Sequence, residues 1–439
     1  MKIRNILIIF FAFTCIYSCT NKNTIELQLT EKNGYGPFKS SFSGIFPYSE
    51  EENNPWTKTF LKASGTPENW INVKKGDIET NLYQSIYQNY FLGNISKEWY
   101  EFLQQSWGWN PDTLNLSKTP MKSKIAFAFG TDSLGITKMV VDANNNLDFS
   151  DDIIFTPFEI KPDVKINDDS LAKNNAIMVT YERFSSNKII QTKAPLLIIH
   201  MSSNNMFLYN FPQYASTQLD GEEIALCSDN FNNLSYNSTS VVLVNDSLNG
   251  ENKANYENII LKNEYIKVKE KIYKNIGVNH NKDVLTLEKT SLSQNQLYST
   301  QVGYKSFSFA GQDFKTKSSI SLDNFKGKYI LLDFWAVWCG PCLNELPNLK
   351  NLYDKIDKNK FEIIGIVGES SSDVLERMIK TFSITWPQIL SDDTNKIKET
   401  YGIISYPTTF LISPEGIIVA KNLRNKELED KIIELINKQ

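Results

Sequence analysis

Cys339 and Cys342 enclose Gly340-Pro341 and follow Trp338. Two thiols this close have two chemistries open to them. They close into a small disulfide ring and exchange it with other disulfides, or they supply half of a tetrahedral zinc site. Zinc needs two more ligands, and the remaining thiols and imidazoles are scattered. Cys15 lies in an N-terminal apolar run, Cys227 is read as a buried free thiol, and His200 and His280 are far apart with no plausible ligand beside either. Both histidines are read as structural. Thiol–disulfide exchange is therefore the chemistry the cysteines favour.

Such a pair works only if the fold presents it. Tyr329–Phe334 reads as a buried strand, followed by helical spacing at Leu343, Leu346, Leu349, Tyr353 and Ile356. Phe361–Val367 is a second buried strand, and Val374–Phe382 and Lys396–Tyr401 look helical. Thr408–Ile412 and Ile417–Ala420 read as strands around the turn Pro414-Glu415-Gly416, and Glu427–Asn437 closes as a helix. The alternation predicts an α/β sheet whose last two strands are antiparallel. The cysteines stand where the first strand gives way to its helix. Residues three apart there share a face. The helix N-terminus favours a thiolate at Cys339, which makes it the attacking nucleophile. Cys342, a turn inside and more shielded, is the resolving thiol.

The stretch Asp333-Phe-Trp-Ala-Val-Trp-Cys-Gly-Pro-Cys342, with Glu345-Leu-Pro347 and Tyr406-Pro407-Thr-Thr-Phe410, resembles the thioredoxin superfamily. Within it the resemblance is to the extracytoplasmic TlpA/ResA-like branch, and it covers roughly the last third of the chain. It implies a thioredoxin-like domain over 301–439 that acts on protein disulfides without a cofactor. Asp333 matches a buried acid that takes the proton from Cys342, its proton affinity raised by burial. Glu345 matches an acid of the same branch that assists; the alternative is an exposed helix carboxylate. Pro407 matches a cis-proline opposite the cysteines, which places the Tyr406 backbone against an extended substrate. Trp338, Gly340 and Pro341 complete the expected substrate contacts. The Gly-Pro pair leans towards a reductase, recharged by a membrane electron donor. Two rival readings stand beside this one. One is a glycan- or protein-binding protein with a subordinate redox domain. The other is an AhpC/TSA-type peroxidase, which uses a lone peroxidatic cysteine after a Thr-x-x step; here Val337-Trp338 precede Cys339.

The chain has 439 residues, 41% of them hydrophobic, enough for more than one packed core. Its formal net charge is −4, so no basic surplus points to nucleic acid. Residues 37–300 show short apolar runs with turn signals: Ile125–Phe129, Lys138–Val141, Ile153–Phe155, Ala176–Tyr181, Leu196–His200, Met206–Tyr209, Val241–Val244 and Val284–Leu287. They predict a β-rich sandwich or barrel, with a short helical segment at Leu82–Phe91 and Lys97–Gln105. The whole is thus read as multidomain, a β-rich region followed by the α/β domain. Asp142–Phe149 lines up with Asp229–Tyr236, which suggests two related β-units, each with an Asx-rich turn. Asp142, Asn144, Asn146 and Asp148 alternate as calcium ligands do, but Leu147 and Ile153 stand where such a loop has Gly and Glu. The run is read as a structural turn, with calcium as the alternative.

Lys2 and Arg4 precede an apolar run from Ile6 to Phe13, which reads as a signal peptide over 1–18. Ile16-Tyr17-Ser18-Cys19 resembles the lipobox of bacterial lipoproteins, with Tyr17 in place of a small residue. The resemblance implies acylation of Cys19, a flexible tether over 19–36, and a protein held in the cell envelope facing the periplasm. Thr20 and Asn21 lack an inner-membrane retention aspartate, which favours the outer membrane. Cys19→Ala should move the protein from the membrane to the soluble fraction, and mass spectrometry should find acyl chains on the N-terminal peptide. An unmodified Cys19 would remove the anchor.

Overall fold

The computed structural model describes residues 23–49, 51–161, 166–236, 239–245, 248, 253–255 and 258–437. The signal peptide and Cys19 lie outside the described residues. Among these residues, no helix is long and apolar enough to cross a membrane.

The last third is organised by one strand. β1 (Tyr329–Trp335) is buried along its whole length, so both of its faces must be covered. It pairs in parallel with β2 (Phe361–Val367), which pairs in parallel with β3 (Gln388–Leu390). On its other side β4 (Thr408–Ile412) runs antiparallel, and β5 (Ile418–Lys421) antiparallel to that. The order is β3-β2-β1-β4-β5. Side chains alternate across this sheet. Ile330, Leu332 and Phe334 pack with Ile364, Ile366 and Phe410 on one face. Tyr329, Leu331 and Trp335 pack on the other, with Cys339, Cys342, Leu346 and Leu349 of α1 (Gly340–Lys355) and Leu428 and Ile432 of α4 (Asn425–Ile436). Two further helices are α2 (Ser372–Thr381) and the single turn α3 (Ile397–Thr400). The strand β3 and the hairpin Ala310–Gln312 with Ser319–Ser321 carry too few residues to signal themselves in sequence.

The preceding region is strand-rich, as expected. Among the described residues, its four sheets are joined by successive apolar layers. The three-stranded sheet (Ile71–Glu79, Lys124–Thr131, Thr137–Val141) shares a core with Leu196 and Ile198 of the long strand Lys188–Met201. Leu197 and Ile199, on the opposite face of that strand, pack against Ala225, Cys227 and Val242 of a four-stranded antiparallel sheet. Ile224, Leu226 and Val241 in turn meet Ile266, Tyr273, Leu285 and Leu287 of another. Burial on both faces explains the unbroken apolar run at 196–199, which an amphipathic strand would not have. The helices Leu82–Phe91 and Lys97–Trp107 stand where their spacing places them, and a third, Asp168–Asn175, was not expected.

Two expectations need correction. Residues 24–36 are not a tether: Thr24–Gln28 pairs with Val284–Thr290, Thr30–Asn33 pairs with Gln213–Leu219, and Tyr35 is fully buried. The segment is polar because it supplies edge strands with one solvated side, a pattern that composition alone does not separate from a linker. Ile153–Phe155 is not a strand. Ile153 is 80% exposed, and only Phe155 makes an isolated bridge, to Met139. The two Asx-rich turns also differ in bonding. In the first, Asp142 accepts from the N–H groups of Asn146 and Leu147. In the second, Asn233 takes that role, accepting from Ser228 and Ser235.

The segment linking the two parts is bonded on both sides. Gln301 exchanges hydrogen bonds with the main chain of Tyr265 (2.7 and 2.8 Å), and the Tyr265 and Tyr304 rings stack at 5.2 Å. On the other side Ile418 N–H donates to the Tyr304 carbonyl (2.9 Å).

Tyr35 tests the first correction. Its hydroxyl donates to Asn210 Oδ1 (3.1 Å) and its ring meets Phe231 edge-on at 5.0 Å. Tyr35→Ala should destabilise the β-rich part by about 3–5 kcal/mol, the usual cost of emptying an aromatic site. An unchanged urea unfolding curve would return the segment to a tether.

Candidate active site

Cys339 ends the turn after β1 and is the N-cap of α1, its Sγ accepting from the Cys342 N–H (3.2 Å). Pro341 sits in the first turn, where a missing N–H costs nothing. The geometry brings the two Cα atoms to 5.2 Å and the pair is closed as a disulfide. Both cysteines are buried, while Trp338 is 63% exposed and Gly340 and Pro341 are exposed beside them.

By the alternation of β1, Asp333 points to the same face as Cys339 and Cys342. It is the one carboxylate in an otherwise apolar strand, and it is buried. Burial raises its proton affinity; the Arg424 guanidinium opposes this and the Glu345 carboxylate adds to it, leaving the group at about 7. Glu345 is not the exposed helix carboxylate of the alternative reading. It is buried on α1, accepting from the Asn425 N–H (2.8 Å) and from Asn348 Nδ2 (3.3 Å).

The Tyr406–Pro407 peptide is cis and leads into β4. Tyr406 meets Trp338 ring to ring at 5.8 Å, and its hydroxyl donates to Glu369 Oε2 (2.6 Å). Glu369 also accepts from Lys398 Nζ, and its carbonyl accepts from Trp338 Nε1 (3.1 Å). Glu369 thereby holds both aromatic residues that flank the disulfide. Arg424 Nη2 donates to the Pro407 carbonyl. Sequence reasoning missed Glu369, Lys398, Arg424 and Asn425. None belongs to a motif: Glu369 follows β2, Lys398 lies on α3, and Arg424 and Asn425 follow β5.

The other singled-out residues lie apart from this site. The carboxylate oxygens of Asp142 are taken up by main-chain N–H groups, and Asp148 accepts from the Ser150 N–H (3.0 Å). Asn144 and Asn146 donate to Asp151 (3.0 Å each). These bonds are those of a structural turn. Cys227 is buried, its thiol pushed up to about 12 by desolvation and so inert. His280 is buried and held neutral, lowered to about 4 first by desolvation and then by Arg183. His200 bonds Asn205 near the end of the strand Lys188–Met201 (2.9 Å).

Asp333 makes stability depend on pH. Its carboxyl is raised from 3.8 unfolded to about 7 folded, so the folded protein binds that proton more tightly. The resulting stabilisation is complete below the unfolded value and is lost as pH rises through about 7. Asp333→Asn has no charge to bury. It should gain on the wild type by on the order of 4 kcal/mol between about pH 3 and about pH 8. Urea unfolding of the oxidised proteins checks this, and a difference independent of pH would contradict it.

Residues 302–421 match the AhpC/TSA family. The thiol–disulfide oxidoreductase ResA of Bacillus thuringiensis subsp. konkukian is 30% identical over 138 residues, 31% of this chain and 78% of that protein. ResA of Bacillus subtilis is 38% identical over 101 residues, 23% of this chain and 55% of that one. The crystal structure of the thioredoxin domain of a thiol-disulfide oxidoreductase from Bacteroides vulgatus shares 31% identity, covering 34% of this chain and all of that one, with a TM-score of 0.29.

Proposed function

This chain belongs to the ResA-type thiol–disulfide oxidoreductases, and on that premise we propose that it reduces protein disulfides through Cys339 and Cys342. The observation that carries the reading is the Cys339–Cys342 disulfide at the start of α1, with the buried Asp333 on the same face. In the reduced protein the helix N-terminus favours the Cys339 thiolate. Its sulfur attacks one sulfur of the substrate disulfide. The substrate S–S bond breaks, a mixed disulfide to Cys339 forms, and the first substrate thiolate leaves. Cys342 then passes its proton to the Asp333 carboxylate, and its thiolate attacks Cys339 Sγ. The Cys339–Cys342 bond forms and the second substrate thiolate leaves, taking up a proton. Two electrons have moved from the dithiol to the substrate.

Trp338, Gly340, Pro341 and Tyr406 are the surface the substrate meets first, with the main chain at Tyr406 receiving an extended segment. Each further cycle needs two electrons from a membrane electron donor. Acylated Cys19 holds the protein in the cell envelope, facing the periplasm and on the outer membrane. The match to the AhpC/TSA family keeps a peroxidase as the second reading; peroxide-dependent turnover would favour it.

The purified protein should reduce insulin when supplied with dithiothreitol, and Cys339→Ser should abolish this. Asp333→Asn should slow resolution of the mixed disulfide and remove one ionisation from its pH profile. Full activity in Cys339→Ser would overturn the assignment of the nucleophile.

A further inference from the structure

The chain between β5 and α4 contributes to the site from a distance in sequence. β5 pairs with β4 so that Lys421 faces Phe410, and the Asn422 N–H donates to the Thr409 carbonyl (2.9 Å). Thr409 Oγ1 donates in turn to the Leu423 carbonyl (3.3 Å). Thr409 is also the cross-strand partner of Asp333. The chain leaving β5 is therefore led back along β4 towards Pro407, past the buried acid.

Arg424 and Asn425 form the turn that ends this path. Arg424 caps α4 in extended backbone, and Asn425 follows at φ 51°, a left-handed conformation that asparagine tolerates. The Arg424 guanidinium donates to the Pro407 carbonyl, and its positive charge opposes the rise in proton affinity that burial gives Asp333. The Asn425 N–H donates to Glu345 Oε1 (2.8 Å), and Asn425 Oδ1 accepts from Asn348 Nδ2 (2.7 Å). Two consecutive residues thus touch the proline loop and the active-site helix.

We propose that Arg424 is a positioning residue of the resolving step, fixing the Pro407 carbonyl and setting a positive charge that acts on Asp333. The proposal rests on the reading of Asp333 as the proton acceptor for Cys342. Among the described residues, two charged groups act on Asp333: Arg424 from the turn before α4, and Glu345 from α1. They act in opposite senses. With Arg424 gone, burial and Glu345 both favour the protonated acid, and an acid already protonated cannot take a proton from Cys342.

The test uses the full chain with Ellman's reagent as the probe. Reduced protein reacts through Cys339, and release of the second thionitrobenzoate reports attack by Cys342. Arg424→Gln should move the midpoint of the pH–rate profile up by about one unit, which slows release near pH 7 by about fivefold and restores it at higher pH. Arg424→Lys, which keeps the charge, should stay near the wild-type midpoint. In Asp333→Asn the further change Arg424→Gln should shift nothing. Thermal melts establish that each variant folds, and Arg424→Ser takes the place of Arg424→Gln if that one does not. A wild-type profile in folded Arg424→Gln, beside an altered one in Asp333→Asn, overturns the role of Arg424 alone. A wild-type profile in Asp333→Asn strikes the acid itself and takes this proposal with it.

Discussion

A carboxylate at the centre of a buried strand is the constraint around which the redox domain is arranged. β1 is covered on both faces, and burial leaves Asp333 little solvent to stabilise its charge. An ionised group there is tolerated only if other charges or bonds compensate it, and the compensation is partial. Arg424 pulls the acid down, Glu345 and burial push it up, and the balance falls near neutral pH. That balance suits a group that must alternately take and give a proton. It also makes the acid a cost to the ionised folded state, of the kind often found where function outweighs stability.

The cysteines depend on the same strand. The end of β1 fixes where α1 begins, and Cys339 is the residue at which strand becomes helix. The loop Gly368-Glu369-Ser370 after β2 then braces the junction. The Gly368 N–H donates to the Trp335 carbonyl (3.0 Å), and Ser370 Oγ accepts from the Val337 N–H (3.1 Å). Gly368 has a further reason to lack a side chain: a Cβ would come within 1.8 Å of the Tyr406 hydroxyl. The aromatic residues before Cys339 and before Pro407 are thereby held by one loop that neither adjoins in sequence.

The β-rich region follows a different logic. Its sheets bury residues on alternating faces of shared strands, so a single run such as 196–199 serves two cores at once. Two of its cations are paired away from bulk water: Arg183 binds Asp283 through two nitrogens (2.9 Å each), and Lys124 lies between Asp77 and Glu79 at 3.3 and 3.1 Å. Removing one partner of such a group would leave a buried charge uncompensated, which ties these strands to one register.

The sequence by itself determined what rests on local patterns. The buried strand and helix around Trp338-Cys339-Gly340-Pro341-Cys342 were legible because apolar periodicity and a helix N-terminus are properties of neighbours. The short strands of the middle region were legible for the same reason. Tertiary structure alone decided what rests on distant pairing. Residues 24–36 read as a polar linker because an edge strand is recognised by its partner and not by its composition. Ile153 and Ile154 read as a strand because exposure cannot be seen in a run of two isoleucines. Glu345 became a buried, bonded carboxylate only when the turn at Asn425 was laid against it. Arg424 carries no motif at all. It reaches the Pro407 carbonyl because β4 and β5 pair in one register, and a long-range hydrogen-bond ladder leaves no mark on the residues that it brings together.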